Sequence, residues 1–249
     1  MAAKAKKAKP AAAPRTVREN LAAALAFLEA KSTRKDLDNL ARFGIAAKRP
    51  FGVSMAQLKV LAKRLGRDHD LAAALWGTGR YEARMLATLV DEPALVTPAQ
   101  MNRWCSDFDN WAICDTACFS LFDRTPHAWA KVEEWSDRGP EFEKRAAFAL
   151  LASLALHDKT AADALFLECL PLVEREAGDE RNFVKKAVSW ALRGVGRRNS
   201  ALHAAALPMA ERLAASGEPA ARWVGKDALR DLEGRVVAKR LAKKSAPRS

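Results

Sequence analysis

Residues 182–199 read NFVKKAVSWALRGVGRRN, and the spacing of their apolar positions decides the fold to expect. At about 100° per residue, Val184, Val188, Ala191 and Val195 fall on one side of a helix, while Lys186, Trp190, Arg193 and Arg197 gather within roughly 60° on the other. An indole therefore sits inside a basic stripe. Two readings stay open at this point. One is a surface tryptophan packed under arginine stems. The other is a concave surface whose cations grip phosphates while the indole lies against sugar or base.

Outward from this segment the pattern stays helical, with start and stop signals at short intervals. Ser54 and Gln57 make a capping-box pattern ahead of MAQLKVLAKRL, which stops at Gly66. Thr97, Pro98 and Gln100 repeat that logic before MNRW, and Asp68 can cap DLAAALW. Tetrads of an aromatic, two variable residues and Arg, Cys or Lys begin at Tyr81, Trp111, Phe142 and Phe183, spaced by 30, 31 and 41 residues. Helix-pair repeats stack at such spacings, each burying its apolar face on its neighbours. The expectation is an all-α chain, a curved superhelical solenoid of antiparallel helix pairs.

The chain has 249 residues and a formal charge of +12, but the charge is concentrated at the ends. Residues 1–18 hold six Lys or Arg and no acid, residues 235–249 hold six more and no acid, and 30 bases face 30 acids between them. The organisation expected is a disordered basic tail over 1–18, a helical-repeat domain over 19–234 and a basic tail over 235–249. Such tails are either solubilising ends or arms that hold phosphates without reading sequence. The longest apolar run, Phe148 to Leu156, falls short of the roughly 20 residues a spanning helix needs, so no membrane is expected. LAAALAFL follows a basic start, yet Glu19 precedes it and Glu29 and Lys31 follow, which fits an amphipathic first helix rather than a secretory signal. Cys105, Cys114, Cys118 and Cys169 lack paired-motif spacing and read as reduced thiols of a cytoplasmic protein. His69, His127, His157 and His203 are scattered, so no metal site is expected.

A second helix, DNWAICDTACFSLF over 109–122, places Trp111, Asp115, Cys118 and Phe122 at helical spacing, with Asp109 or Asn110 as its cap. Asp115 lies too deep to be an N-cap, and desolvating it costs free energy unless it is paired. It reads either as a structural aspartate bonded to an arginine or a helix terminus, or as a functional carboxylate. Arg145 supplies a possible partner and opens a stripe of small residues, Ala149 and Ala152. Trp76, Trp104, Trp129, Trp135 and Trp223 have no cations at matching phase and read as packing residues.

FGVSMAQLKVLAK, the W-x-x-x-D of Trp111 and Asp115, the KRAA around Arg145 and FVKKAVSWALR occur in an order and spacing that resemble the HEAT-like-repeat alkylpurine DNA glycosylases, the AlkD-like DNA alkylation-repair family. The resemblance covers roughly Leu37 to Leu232, and the basic tails depart from it. It implies a DNA glycosylase that hydrolyses the N-glycosidic bond of cationic N3- or N7-alkylated purines in duplex DNA through backbone contacts. It assigns catalytic roles to Trp111, Asp115, Arg145 and Trp190. Phosphate contacts are expected from Lys185, Lys186, Arg193, Arg197 and Arg198, with no cofactor. The expected partner is double-stranded DNA containing alkylated bases, bound by a cytoplasmic monomer that is nucleoid-associated on DNA, with no obligatory protein partner. The competing readings are a non-catalytic protein of the same fold that binds damaged or branched DNA, and a helical-repeat adaptor for proteins.

Overall fold

A computed structural model describes residues 16–245. Among them the secondary structure is helical throughout: α1 (Val17–Ala30), α2 (Arg34–Arg42), α3 (Met55–Leu65), α4 (His69–Gly77), α5 (Tyr81–Val90), α6 (Pro98–Ser106), α7 (Trp111–Ser120), α8 (Ala128–Ser136), α9 (Glu141–His157), α10 (Asp163–Glu176), α11 (Asn182–Gly196), α12 (Ser200–Ala214), α13 (Pro219–Leu232) and α14 (Arg235–Ser245), with a 3-10 turn at Phe122–Arg124.

The sequence signals act much as expected. Thr97 and Asp68 accept the backbone N–H of Gln100 and Leu71 to cap α6 and α4, and Asn110 accepts those of Ala112 and Ile113 at the start of α7. Ser54 is the N-cap of α3, but its side chain makes no capping bond. The chain entering α3 is held from outside instead. Glu82, fully buried on α5, accepts the backbone N–H of Phe51 and Gly52 at 2.7 Å and of Val53 at 3.2 Å. Gly52 takes a φ of 83° there, and a Cβ would meet the Thr33 carbonyl oxygen at 2.8 Å, so the loop needs glycine on both counts.

Helices α5, α7, α9, α11 and α13 each pack on the next and form an inner row, while α8, α10 and α12 do the same outside. Across the two layers α4 pairs with α5, α8 with α9, α10 with α11 and α12 with α13. The most extensive contact joins α9 and α11. Val184, Val188, Ala191 and Val195 are completely buried, as the periodicity of α11 requires. The small-residue stripe on α9 explains the closeness: a Cβ at Gly194 of α11 would lie 3.4 Å from Ala152 Cα. This is the solenoid of antiparallel helix pairs read from the spacing of the tetrads, which open α5, α7, α9 and α11.

Gly225 marks a closer approach between α13 and α12, where a Cβ would stand 2.1 Å from Ala214 N and 2.5 Å from Leu213 C. Gly→Ala in a helix ordinarily stabilises by about 1 kcal/mol. Gly225→Ala is instead expected to destabilise by about 1–3 kcal/mol in guanidinium unfolding, because backbone must move. A gain in stability would refute the close packing.

Both ends differ from the sequence reading. Thr16 caps α1 with Glu19 in a complete capping box, so the boundary drawn at residue 18 falls inside a helix, while residues 1–15 lie outside the described residues. At the other end, residues 235–245 form α14 rather than a tail, because Val237 and Leu241 stand one turn apart and are buried. Residues 246–249 lie outside the described residues. Among the described residues no helix is long and apolar enough to cross a membrane, and the four cysteines are free and buried.

Candidate functional site

The inner row presents equivalent positions to one face. The fifth residues of α7, α9, α11 and α13 are Asp115, Arg145, Lys186 and Trp223, and all four line a single open cleft of about 560 Å³. The ninth residues of α11 and α13, Trp190 and Asp227, line it as well. Trp111, at the first position of α7, and Phe43, just past α2, complete the aromatic part of the wall. Four cations, Arg145, Lys186, Arg193 and Arg197, face two carboxylates, Asp115 and Asp227, so the lining is net positive.

Asp115 and Arg145 form a two-pronged ion pair. Arg145 Nε donates to Asp115 Oδ1 at 2.9 Å and a terminal nitrogen donates to Oδ2 at 2.7 Å. The other terminal nitrogen donates to the Phe183 carbonyl at 2.7 Å, tying α9 to the start of α11. The Arg145 side chain is 7% exposed and that of Asp115 17%. Burial pushes the Asp115 carboxyl above the usual carboxylate range, against the pull of the Arg145 charge and hydrogen bonds. Burial works against the arginine too, but Asp115 outweighs it and holds the guanidinium above its ordinary value. Both carboxylate oxygens thus have a cationic donor, and a lone-pair side remains toward the cleft.

The two indoles assigned by resemblance are half-buried and oriented from behind. Trp111 Nε1 donates to the Phe43 carbonyl at 3.1 Å. Trp190 stacks on Phe119 of α7, with centroids 4.8 Å apart and planes 9° from parallel. Cys118 and Phe122, expected to share the face of Asp115, are fully buried instead: the Cys118 thiol faces the Ala146 carbonyl of α9 at 3.6 Å, and Phe122 lies beyond the end of α7 at Ser120.

The cations divide. Lys186 is exposed and has no hydrogen bond or ion pair among the described residues. Arg193 lies 3.5 Å from Asp227, and Arg197 pairs with Asp231, both across to α13. Lys185 does not line the cleft, and its ammonium lies over the Trp223 ring at 5.4 Å. Arg198 departs from the expected phosphate stripe. It follows the C-cap of α11, donates to the carbonyls of Asp158 and Ala161 beyond α9, and sits over the Phe166 ring. Its side chain is 9% exposed, so its role here is to brace the loop.

Sequence reasoning placed Trp223 among packing residues, and that is corrected: it is exposed and lines the cleft, unlike the buried Trp76, Trp104 and Trp135. A signal existed, since W-x-x-x-D occurs a second time at Trp223 and Asp227. The cation on its ring comes from the neighbouring helix, where periodicity within α13 could not find it. Phe43 and Asp227 were also missed. No group of three or more metal-ligating side chains occurs among the described residues.

A family model described as a DNA alkylation repair enzyme matches residues 24–232. No curated protein matches the chain. A solved structure described as a new family of proteins related to the HEAT-like repeat DNA glycosylases with affinity for branched DNA structures is 21% identical, with a TM-score of 0.69. That match covers 77% of this chain and 82% of the other, and at this identity it bears on the fold alone.

Proposed function

Because the chain belongs to the DNA alkylation repair enzyme family, we propose that its cleft hydrolyses the N-glycosidic bond of purines made cationic by alkylation at N3 or N7 in duplex DNA. The observation that carries this reading is the meeting of Asp115, Trp111 and Trp190 in one net-positive cleft. A cationic base is already a good leaving group, and its departure leaves an oxocarbenium-like sugar. The Asp115 carboxylate stabilises that charge and orients the attacking water, and the indole faces add their negative quadrupoles. Lys186 takes a phosphate. Arginine has five N–H donors, of which Arg145 uses three internally, so two remain for the adjacent phosphate. Among the described residues the lining includes no Asn or Gln amide to read a base edge. Neutral lesions are therefore expected to be poor substrates.

The test is release of 7-methylguanine or 3-methyladenine from methylated duplex DNA. Wild-type protein that releases neither overturns the reading. Activity requires Asp115 ionised, and its carboxyl is raised by burial. The acid limb of the excision profile is therefore expected at higher pH than an ordinary carboxylate, about 3.9, would give. An acid limb at or below that value would count against Asp115 as the group titrating.

A second reading is favoured by one observation. The fork from Arg145 largely neutralises Asp115, which suits a protein that binds damaged or branched DNA without cutting it. The structural neighbour is described as having affinity for branched DNA. Tight binding without base release would select this alternative.

A further inference from the structure

Trp223 is left over from the proposed chemistry, yet it is 36% exposed inside the cleft. We propose that Trp223, flanked by Lys185 and Asp227, is a second subsite that stacks an unpaired base of the same DNA, away from the nucleotide held at Trp111 and Trp190. The proposal rests on the reading that this cleft takes DNA.

Three observations carry it. First, the indole leaves its ring available in a lined cavity, where three other tryptophans of the chain are buried. Among the described residues its ring contact is the Lys185 ammonium at 5.4 Å, and because Lys185 is not part of the cleft wall, the ring still shows a surface to the cavity. Second, Trp223 holds the same position on α13 that Asp115, Arg145 and Lys186 hold on their helices, so the repeat delivers it to the row of groups that meets the ligand. Third, the charges around it sort the parts of a nucleotide. Asp227 is fixed by Ser189 Oγ, which donates to it at 2.6 Å, and lies 3.5 Å from Arg193. That carboxylate is compensated by Arg193 and by Arg230 at 3.7 Å, whereas Lys186 on α11, which lines the same cleft, has no ion-pair partner among the described residues and takes the phosphate. What remains for the ring is the base.

The geometry of packed helices sets the distance. Neighbouring helix axes lie about 8–10 Å apart, and successive nucleotides of a duplex strand rise about 3.4 Å. Trp223 on α13 is one helix beyond Trp190 on α11, so it meets a nucleotide about two to three steps along. A base can lie flat on an indole only when it is unstacked from its neighbours, and every base has a π face, so the subsite reads loss of stacking rather than sequence. The ligand is therefore a strand that is locally unpaired beside the lesion.

Fluorescence anisotropy on two labelled duplexes of equal length, one fully paired and one with a three-nucleotide bulge, tests this. Wild-type protein is expected to prefer the bulged duplex. Trp223→Ala should weaken binding to it by about 10-fold, with a clearly smaller loss on the paired duplex, and Trp223→Phe should restore most of the loss. Circular dichroism of Trp223→Ala should show a melting transition above the assay temperature, as expected for a ring that lies outside the buried core. Three results would overturn the subsite: equal binding of the bulged duplex by Trp223→Ala and wild type, equal losses on both duplexes, or no rescue by phenylalanine. Wild-type protein that binds neither duplex would instead remove the DNA-cleft reading on which the subsite rests.

Discussion

Replacing Asp115 by Asn is expected to lower release of 7-methylguanine by about 10²–10³-fold, or about 2.7–4 kcal/mol of transition-state stabilisation. The amide is nearly isosteric and keeps one acceptor for the Arg145 fork, so the cleft retains its shape. What changes is the field. In the wild type Asp115 offsets the guanidinium that grips it, whereas in the variant Arg145 faces the developing sugar cation with no carboxylate between them. The same change makes the cleft more positive, so affinity for duplex DNA is expected to hold or to rise. Lower turnover with undiminished binding separates a charge effect in the transition state from loss of the site. Circular dichroism of the same samples checks that the assay temperature lies below the melting transition. Equal turnover by Asp115→Asn and wild type would remove the carboxylate from the mechanism.

The parts of this molecule that were legible in its sequence are those set by local periodicity. The apolar and basic faces of α11 separate as 3.6 residues per turn requires, and Lys186, Trp190, Arg193 and Arg197 all reach the cleft. The caps of α4, α6 and α7 use the residues expected. Trp111, Asp115 and Arg145, named through resemblance, line the same cavity. What escaped the sequence depends on neighbouring helices. At about 100° per residue Arg198 lies about 120° round from Lys186, off the basic stripe, and with α11 capped at Arg197 its side chain turns to the carbonyls beyond α9. Trp223 seemed to lack a cation because Lys185 belongs to another element. Nothing in the periodicity of α5 singles out Glu82, whose partners are the amides of residues 51–53 on a distant loop. Val237 and Leu241 were visible at helical spacing, yet the surrounding lysines and arginines drew attention to charge instead.

Whether Asp115 was a structural or a functional carboxylate could not be separated on paper, and the ion pair explains why both descriptions fit. The fork joins α7 to α9 and its third bond joins α9 to α11, so the residues that create the local charge also hold three inner helices in register. A solenoid in which each helix touches only its neighbours has few long-range contacts to spare. Holding the Asp115 carboxylate in that seam limits its freedom to reorient, so the mechanism proposed for it is a fixed electrostatic one rather than one that needs the carboxylate to move.

Arg145→Leu is expected to be the most destabilising single change in this seam, at about 3–5 kcal/mol near neutral pH, because it leaves a desolvated carboxylate without its counter-charge. The loss should depend on pH. Without the guanidinium, the Asp115 carboxyl, already raised by burial, rises further. A value higher in the folded than in the unfolded chain means that the native state binds the proton more tightly. The stabilisation it contributes is therefore complete below the unfolded value and is lost as pH climbs through the folded one. The deficit relative to wild type should be widest near neutral pH and should narrow as pH falls toward the ordinary carboxylate range. Adding Asp115→Leu to Arg145→Leu removes the stranded charge and should recover part of the loss. The Phe183 carbonyl would still lack its donor, a residual cost of about 1–3 kcal/mol. Guanidinium chloride would mask the charges, so urea unfolding across pH is the measurement, with the double variant alongside. A deficit that stays constant with pH, or a double variant no more stable than Arg145→Leu, would mean that Asp115 is solvated rather than held by its partner, and the seam would lose its electrostatic explanation.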